Sequence, residues 1–240
     1  TLPPETQRAN KDVTSNTTIL ALTYDGSDGS REAIIACDGL TSIGHEKYCV
    51  NTNKIDQLDI HSSLASAGHA AAAMQAARYL RALFYIARLL DKKELSAKGK
   101  ARQANNLIGA HFSCRDYFIT PVFIAYDTVQ RRARIFDIWG GGGYKEWDEY
   151  YTNGCGGDRA LTVLEEYWTE HLSRTEAIEL AIRAVHMAAH KTSGANEPQY
   201  VRIMTAEGLE SVPRTVIQET LNSIRKTCKR CEEERRGGVV

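Results

Sequence analysis

The chain has no excess of charge of either sign: thirty basic and thirty acidic residues cancel. No global field favours nucleic acid or an acidic membrane surface, and neither is expected as a partner. No apolar run approaches the ~20 residues that a membrane helix needs. The first residues lack the basic and apolar regions of a secretory signal, so a cytoplasmic location is expected. The six cysteines (Cys37, Cys49, Cys114, Cys155, Cys228 and Cys231) are scattered and form no secreted disulfide framework. Only Cys228-x-x-Cys231 has metal or redox spacing. It lies in a charged run with no second pair to complete a zinc site, and reads as surface thiols at a helix end. No metal and no cofactor are expected.

What is present suits one large core. A chain of 240 residues can bury roughly three quarters of its unfolded surface. Residues 1–16 are polar, with adjacent prolines, and read as a flexible leader or propeptide; 17–240 reads as a single domain. Strand patterns at 17–24 and 32–38 flank the turn Asp25-Gly26-Ser27-Asp28-Gly29-Ser30, which makes a hairpin with a longish loop. Short strands are expected at 48–58 and 60–67. From Ala70 to Leu90 apolar residues recur at three- and four-residue steps, the signature of a helix with one buried face. A second helix is expected over Ser96–Cys114, then strands at Tyr117–Tyr126, Arg132–Trp139 and Tyr144–Tyr151. Helices at 158–172 and 174–190, a strand at Tyr200–Thr205, a turn at Glu207-Gly208 and a helix from Pro213 follow. Such segregated runs point to an α+β fold with two sheets face to face and helices outside.

Four features could carry chemistry. Thr17 and Thr18 stand at the mouth of the first strand, and a threonine hydroxyl becomes a nucleophile when a base is adjacent. At a chain terminus it brings its own base, an α-amine with a reference pKa of roughly 7.7–8.0. Asp38 ends an apolar strand, as a turn residue or as a buried acid with a partner. Lys54 sits in a strand-like stretch, either solvated or placed to favour an alkoxide beside it. Gly68, after Ser66-Ala67, opens the long helix, where a backbone N–H can face a developing oxyanion. Each feature alone has an ordinary structural explanation.

Order and spacing together resemble the β-type subunits of the proteasome and their bacterial relatives, including HslV-type peptidases and proteobacterial proteasome homologues. Thr17-Thr18-Ile19-x-Ala21-Leu22 resembles the mature N-terminus of that family. Asp38 and Lys54 have its acid-to-lysine spacing, Ser66-Ala67-Gly68 its oxyanion turn, and Gly154-Cys155-Gly156 its Gly-Ser-Gly turn. The likeness spans nearly all of 17–240. It implies a four-layer α-β-β-α sandwich of two antiparallel sheets, assembly into a homo-oligomeric ring or stacked rings, and threonine endopeptidase activity on protein or peptide substrates. An ATPase or an α-type subunit would be a compatible partner. By the same resemblance Thr17 is the nucleophile after removal of residues 1–16. Its freed amine is the base, Gly68 N–H the oxyanion donor, and Asp38 and Lys54 tune the hydroxyl. Cys155, His190 and Ser193 take the supporting positions. Thr41 and Ser42 would pair with an extended substrate, and Thr52, Ser66, Ala70 and Met74 would line the first specificity pocket.

Four positions depart from the family pattern: Asn16 replaces the glycine before the nucleophile, Leu40 an arginine, Cys155 a serine and His190 an aspartate. These departures keep two further readings open. One is a ring subunit that assembles but stays catalytically silent. The other is a related N-terminal-nucleophile amidase or transpeptidase acting on a non-protein amide. Thr1 as nucleophile is disfavoured, because Leu2-Pro3-Pro4 cannot continue as a paired strand.

Overall fold

The computed structural model describes residues 13–15, 17–43, 46–112, 118–139, 142–191 and 197–237, with side chains omitted at 13–15, 42–43, 46–48, 190–191, 199 and 228–237. The chain opens with β1 (Val13–Ser15), β2 (Ile19–Asp25), β3 (Arg31–Asp38), β4 (Thr41–Ile43), β5 (Glu46–Cys49), β6 (Ile55–Asp59) and β7 (Ser62–His69). Two helices follow, α1 (Ala70–Asp91) and α2 (Ala97–His111), then β8 (Ile119–Asp127), β9 (Arg132–Trp139), β10 (Gly143–Trp147) and β11 (Tyr150–Asn153). The last elements are α3 (Gly157–Tyr167), α4 (Arg174–Lys191), β12 (Pro198–Thr205), β13 (Gly208–Ser211) and α5 (Arg214–Gly237).

Among the described residues the result is a mixed α+β fold with five helices and a large mixed sheet. Its thirteen described strands run along the path β11-β2-β3-β9-β8-β7-β1-β4-β5, with β6, β10, β12 and β13 attached beside it. Two separate antiparallel sheets were the expectation. Instead one parallel pairing, Arg31 opposite Arg132, joins β3 to β9 and makes the hydrogen-bonded path continuous. The core lies in three clusters. Leu20, Leu22, Ile34, Ala36, Val201 and Ile203 pack against α3, α4 and α5. Leu64, Phe123, Phe136 and Ile138 pack against α1 and α2. Between them, Ile19, Ala21, Ala33 and Ile35 meet Ala65, Val122, Ile124 and Ile135. Strands β2, β3, β8 and β9 thus bury both faces, which is why they read as continuous apolar runs rather than alternating ones. Each fully buried Leu or Ile contributes about 1.5–3 kcal/mol relative to exposure.

Local chemistry sets the ends. The alanine-rich start of α1 is capped by His69, whose Nδ1 accepts from the Ala72 amide at 3.2 Å. Ser96 Oγ caps α2 through the Gly99 amide at 3.1 Å. Ser173 and Glu176 form a reciprocal capping box at the start of α4.

Several boundaries differ from expectation. The expected strand Tyr144–Tyr151 is two strands, because β10 pairs with β9 while β11 crosses to β2. Thr23 holds the break, its hydroxyl donating to Asp148 O at 2.8 Å and its amide to Glu149 O at 2.8 Å. The helix expected to run to 172 stops at Tyr167, and the Trp168 indole donates to Thr23 O at 3.0 Å. The stretch expected as one strand over 48–58 is interrupted between β5 and β6. Of the expected leader only 13–15 is described, and it is the strand β1, paired on one side with β4 and on the other with β7.

Burial makes one pH response predictable. Burial pushes the Cys37 thiol up to about 12 and raises the Tyr24 and Tyr151 hydroxyls as well. The folded state therefore holds these groups protonated. Unfolded, they ionise near ~8.5 (Cys) and ~10 (Tyr). Their contribution is complete below those values and is lost as pH rises through them toward the folded ones. The melting temperature is expected to hold to about pH 8 and to fall between about pH 9 and 11. A flat profile in a thermal melt series would contradict this.

Candidate active site

Asp38 is the last residue of β3, and three donors converge on its fully buried carboxylate. Oδ1 accepts the Thr18 amide at 2.9 Å and Lys54 Nζ at 2.9 Å, and Oδ2 accepts the Leu40 amide at 3.1 Å. Lys54 enters from the segment before β6, with its side chain 3% exposed. A dry ammonium is tolerated only with partners of this kind. Its second contact is decisive for the threonines: Nζ donates to Thr17 Oγ1 at 2.6 Å. The Thr18 hydroxyl is buried and has no hydrogen-bond partner among the described residues. Of the two threonines it is Thr17 whose hydroxyl meets the ammonium, while the Thr18 backbone amide meets Asp38. Leu40, which replaces the arginine of the family pattern, contributes its amide to the same carboxylate.

The carbonyl of Thr17 is held from the other side by the turn after β11. The Gly156 amide donates to Thr17 O at 3.4 Å, and Cys155 Sγ approaches it at 3.5 Å. Gly154 has φ +89, and a Cβ there would lie 2.1 Å from Thr17 O, so only glycine allows this approach. Cys155 is exposed as a residue, while partial desolvation of its sulfur raises the thiol pKa. Gly68 has φ +104, and a Cβ there would lie 2.4 Å from Phe118 O; in register it stands opposite Ser15 of β1.

The other expected residues divide. Ser66 is buried and its amide donates to Lys54 O at 3.2 Å, which ties β7 just before Gly68 to the lysine. The Thr41 hydroxyl donates to Thr52 Oγ1 at 2.8 Å, joining β4 to the Lys54 segment. Ser42 pairs through its backbone with Thr14 of β1. Ala70 is half-buried at the first position of α1. Met74, expected to line the first specificity pocket, is 68% exposed, on the side of α1 away from Ala72, Ala76 and Ala77, which pack on the sheet. The side chain of His190, near the end of α4, and the whole of Ser193 lie outside the described residues, as do the Cys228 and Cys231 side chains. Two cavities flank α1: one, of about 490 Å³, is lined by Arg81, Tyr85, Arg88 and Lys100 among others, and one, of about 470 Å³, by Tyr79 and His111. Neither is lined by a residue of the Thr17 cluster. Among the described residues no group of three His, Cys, Asp or Glu could hold a metal ion, and no helix is long and apolar enough to cross a membrane.

Sequence reading missed the Thr18 amide, the Leu40 amide and strand β1. Backbone donors leave no compositional signal, and Val13-Thr14-Ser15 is too short and polar to stand out.

A buried lysine bridging an acid and the hydroxyl of a threonine at the mouth of a strand invites comparison with known proteins. The profile of the family described as proteasome subunit matches residues 13–203. The chain belongs to the proteasome subunit family. It is 27% identical over 191 residues to a proteasome subunit beta of Jonesia denitrificans, covering 78% of this chain and 61% of that protein. It is 25% identical over 222 residues to proteasome subunit beta 2 of Thermomonospora curvata, covering 89% of this chain and 78% of that one. To proteasome subunit beta 2 of Pyrococcus furiosus it is 25% identical over 190 residues, covering 78% of this chain and 89% of the relative. This chain thus spans under two thirds of the Jonesia protein and more of the other two. The proteasome family match includes 13–15, the residues of β1.

Proposed function

We propose that the chain is a threonine-type endopeptidase, a β-type subunit of a self-compartmentalising ring protease, with Thr17 as nucleophile once residues 1–16 are removed. In this reading residues 1–16 are a propeptide and the chain as written is a zymogen. The observation that carries it is the buried triangle of Lys54 Nζ with Thr17 Oγ1 at 2.6 Å and Asp38 Oδ1 at 2.9 Å. Asp38 keeps the lysine charged, and the ammonium stabilises an alkoxide on Thr17.

The chemistry then follows from the residue types. Thr17 Oγ attacks the carbonyl carbon of Asn16, the amide nitrogen leaves as a free amine, and water hydrolyses the resulting ester. The freed α-amine, neutral in part near its reference pKa of about 7.7–8.0, takes the hydroxyl proton in later turnovers. Thr17 Oγ attacks the scissile carbonyl, the oxyanion faces Gly68 N–H, and the amine passes its proton to the leaving nitrogen. Water then releases the acyl group.

Strand β1 supports an extended peptide as substrate over a compact non-protein amide. Val13–Ser15 runs antiparallel between β4 and the Gly68–His69 end of β7, with both sides paired through the backbone. A peptide taking that track would meet the same ladders. The three stacked clusters support the four-layer α-β-β-α sandwich. Assembly into a homo-oligomeric ring or stacked rings completes the proposal, with an ATPase or α-type subunit as candidate partner.

Intact mass of the purified assembly, read with a threonine-directed covalent electrophile, tests the proposal. Loss of residues 1–16 and label on Thr17 are expected, and both should vanish in Thr17→Ala. An active particle that still carries residues 1–16 would overturn it.

A further inference from the structure

The turn that clasps the Thr17 carbonyl is itself held by a line of hydrogen bonds along β11. The Gly154 amide donates to Asn153 Oδ1 at 2.6 Å, and Asn153 Nδ2 donates to the Tyr151 hydroxyl at 3.2 Å. The Asp137 carboxylate of β9 accepts Trp139 Nε1 at 2.5 Å, and its charge adds to the effect of burial in raising the Tyr151 hydroxyl pKa. Asp137 is 7% exposed. Lys145 stands opposite it in register but lies with Nζ 3.5 Å from the Trp147 ring centre. Tyr151 stacks on the same Trp147 at 5.3 Å between centroids, which fixes its ring.

A carboxylate in a dry site without a close cation is costly unless hydrogen-bond donors surround it. Here the Trp139 indole donates to Asp137, and on β11 the Tyr151 phenol accepts from Asn153. The stack of Tyr151 on Trp147 joins β11 to β10, which are not paired with each other along the sheet path. A side-chain network that bridges separate strands rigidifies what it holds when every member is satisfied.

We propose that Tyr151 and Asn153 form a positioning pair that fixes the 154–156 turn and through it the Thr17 carbonyl. Neither touches Oγ1. They set the angle at which Thr17 is presented, complementing Asp38 at the Thr18 amide and Lys54 at the hydroxyl. This inference rests on the reading of Thr17 as nucleophile for its catalytic consequence, but not for its structural one.

Tyr151→Phe removes the hydroxyl and keeps the ring stack; Asn153→Ala, a second variant, removes the acceptor of the Gly154 amide. Hydrogen exchange of peptides spanning 151–157 in the assembled protein is expected to quicken at the Gly154 and Gly156 amides by about tenfold or more in each. In parallel, the first-order rate constant for labelling of Thr17 by a peptide vinyl sulfone is expected to fall about tenfold, with the half-saturating concentration unchanged within about twofold. A loss shared with half-saturation would mark a general structural role and would overturn the proposal. So would unchanged exchange at the two glycines. If the unaltered protein is not labelled at all, the endopeptidase reading fails, and the exchange experiment still decides whether the pair holds the turn.

Discussion

Asp38→Asn is expected to lower stability by about 3–5 kcal/mol and to abolish labelling of Thr17. The Lys54 side chain is 3% exposed and that of Asp38 fully buried, so removing the carboxylate charge leaves an ammonium in a dry site. Breaking a buried pair from one side costs about that much, because the remaining charge is uncompensated. The carboxamide also turns an N–H₂ toward donors. Both carboxylate oxygens of Asp38 now accept, from Thr18 N, Leu40 N and Lys54 Nζ, and an amide nitrogen cannot replace either. For a chain of this size the melting temperature should drop by roughly 6–20 °C. The double variant Asp38→Asn with Lys54→Met separates the two effects. Replacing both charges by neutral groups should recover a large part of the stability, while labelling stays absent. A single variant that costs under about 1 kcal/mol would mean the pair is more hydrated than the structure has it.

The second large effect belongs to Gly154. Its φ of +89 disfavours any L side chain, and the added Cβ of Gly154→Ala would fall 2.1 Å from Thr17 O. Backbone must move, and the atoms that move carry the nucleophile. Gly29 supplies the control: its φ is +77, but nothing lies within 4 Å of an added Cβ. Gly29→Ala should therefore report conformational strain alone, about 1–3 kcal/mol. Gly154→Ala should show that strain plus a loss of about 100-fold in the rate of Thr17 labelling, the scale of a displacement near 1 Å. Thermal melts and labelling rates on both variants check this. Equal labelling rates in the two would show that the turn does not set the position of Thr17.

Much of this architecture was legible one segment at a time. The apolar steps along Ala70–Leu90 correspond to α1, whose buried positions are Ala72, Ala76, Ala77, Leu80 and Phe84. The runs Ile19–Leu22 and Ala33–Cys37 read as strands because both of their faces are covered. The break between β10 and β11 was not legible. It is imposed by Thr23, which is 125 residues away from Asp148 in the chain. Nor did anything in Asn51-Thr52-Asn53-Lys54 announce a buried lysine; the polar neighbours suggest solvent, and only the fold brings Asp38 over it.

At the site the division is similar. The order Thr17, Asp38, Lys54, Gly68 and Gly154 is a property of the sequence, and it sufficed to suggest a threonine nucleophile of proteasome type. Which of two adjacent threonines faces the lysine was settled by tertiary structure, since β2 pairing leaves Oγ1 of Thr17 at 2.6 Å from Nζ and buries the Thr18 hydroxyl elsewhere. The route of residues 13–15 between β4 and β7, and the line from Tyr151 to Gly154, were likewise decided there. Local periodicity records which face of an element is apolar. It does not record which distant donor meets which acceptor, because those contacts form between segments whose spacing in the chain is arbitrary and whose approach is fixed only once the sheet and helices have packed.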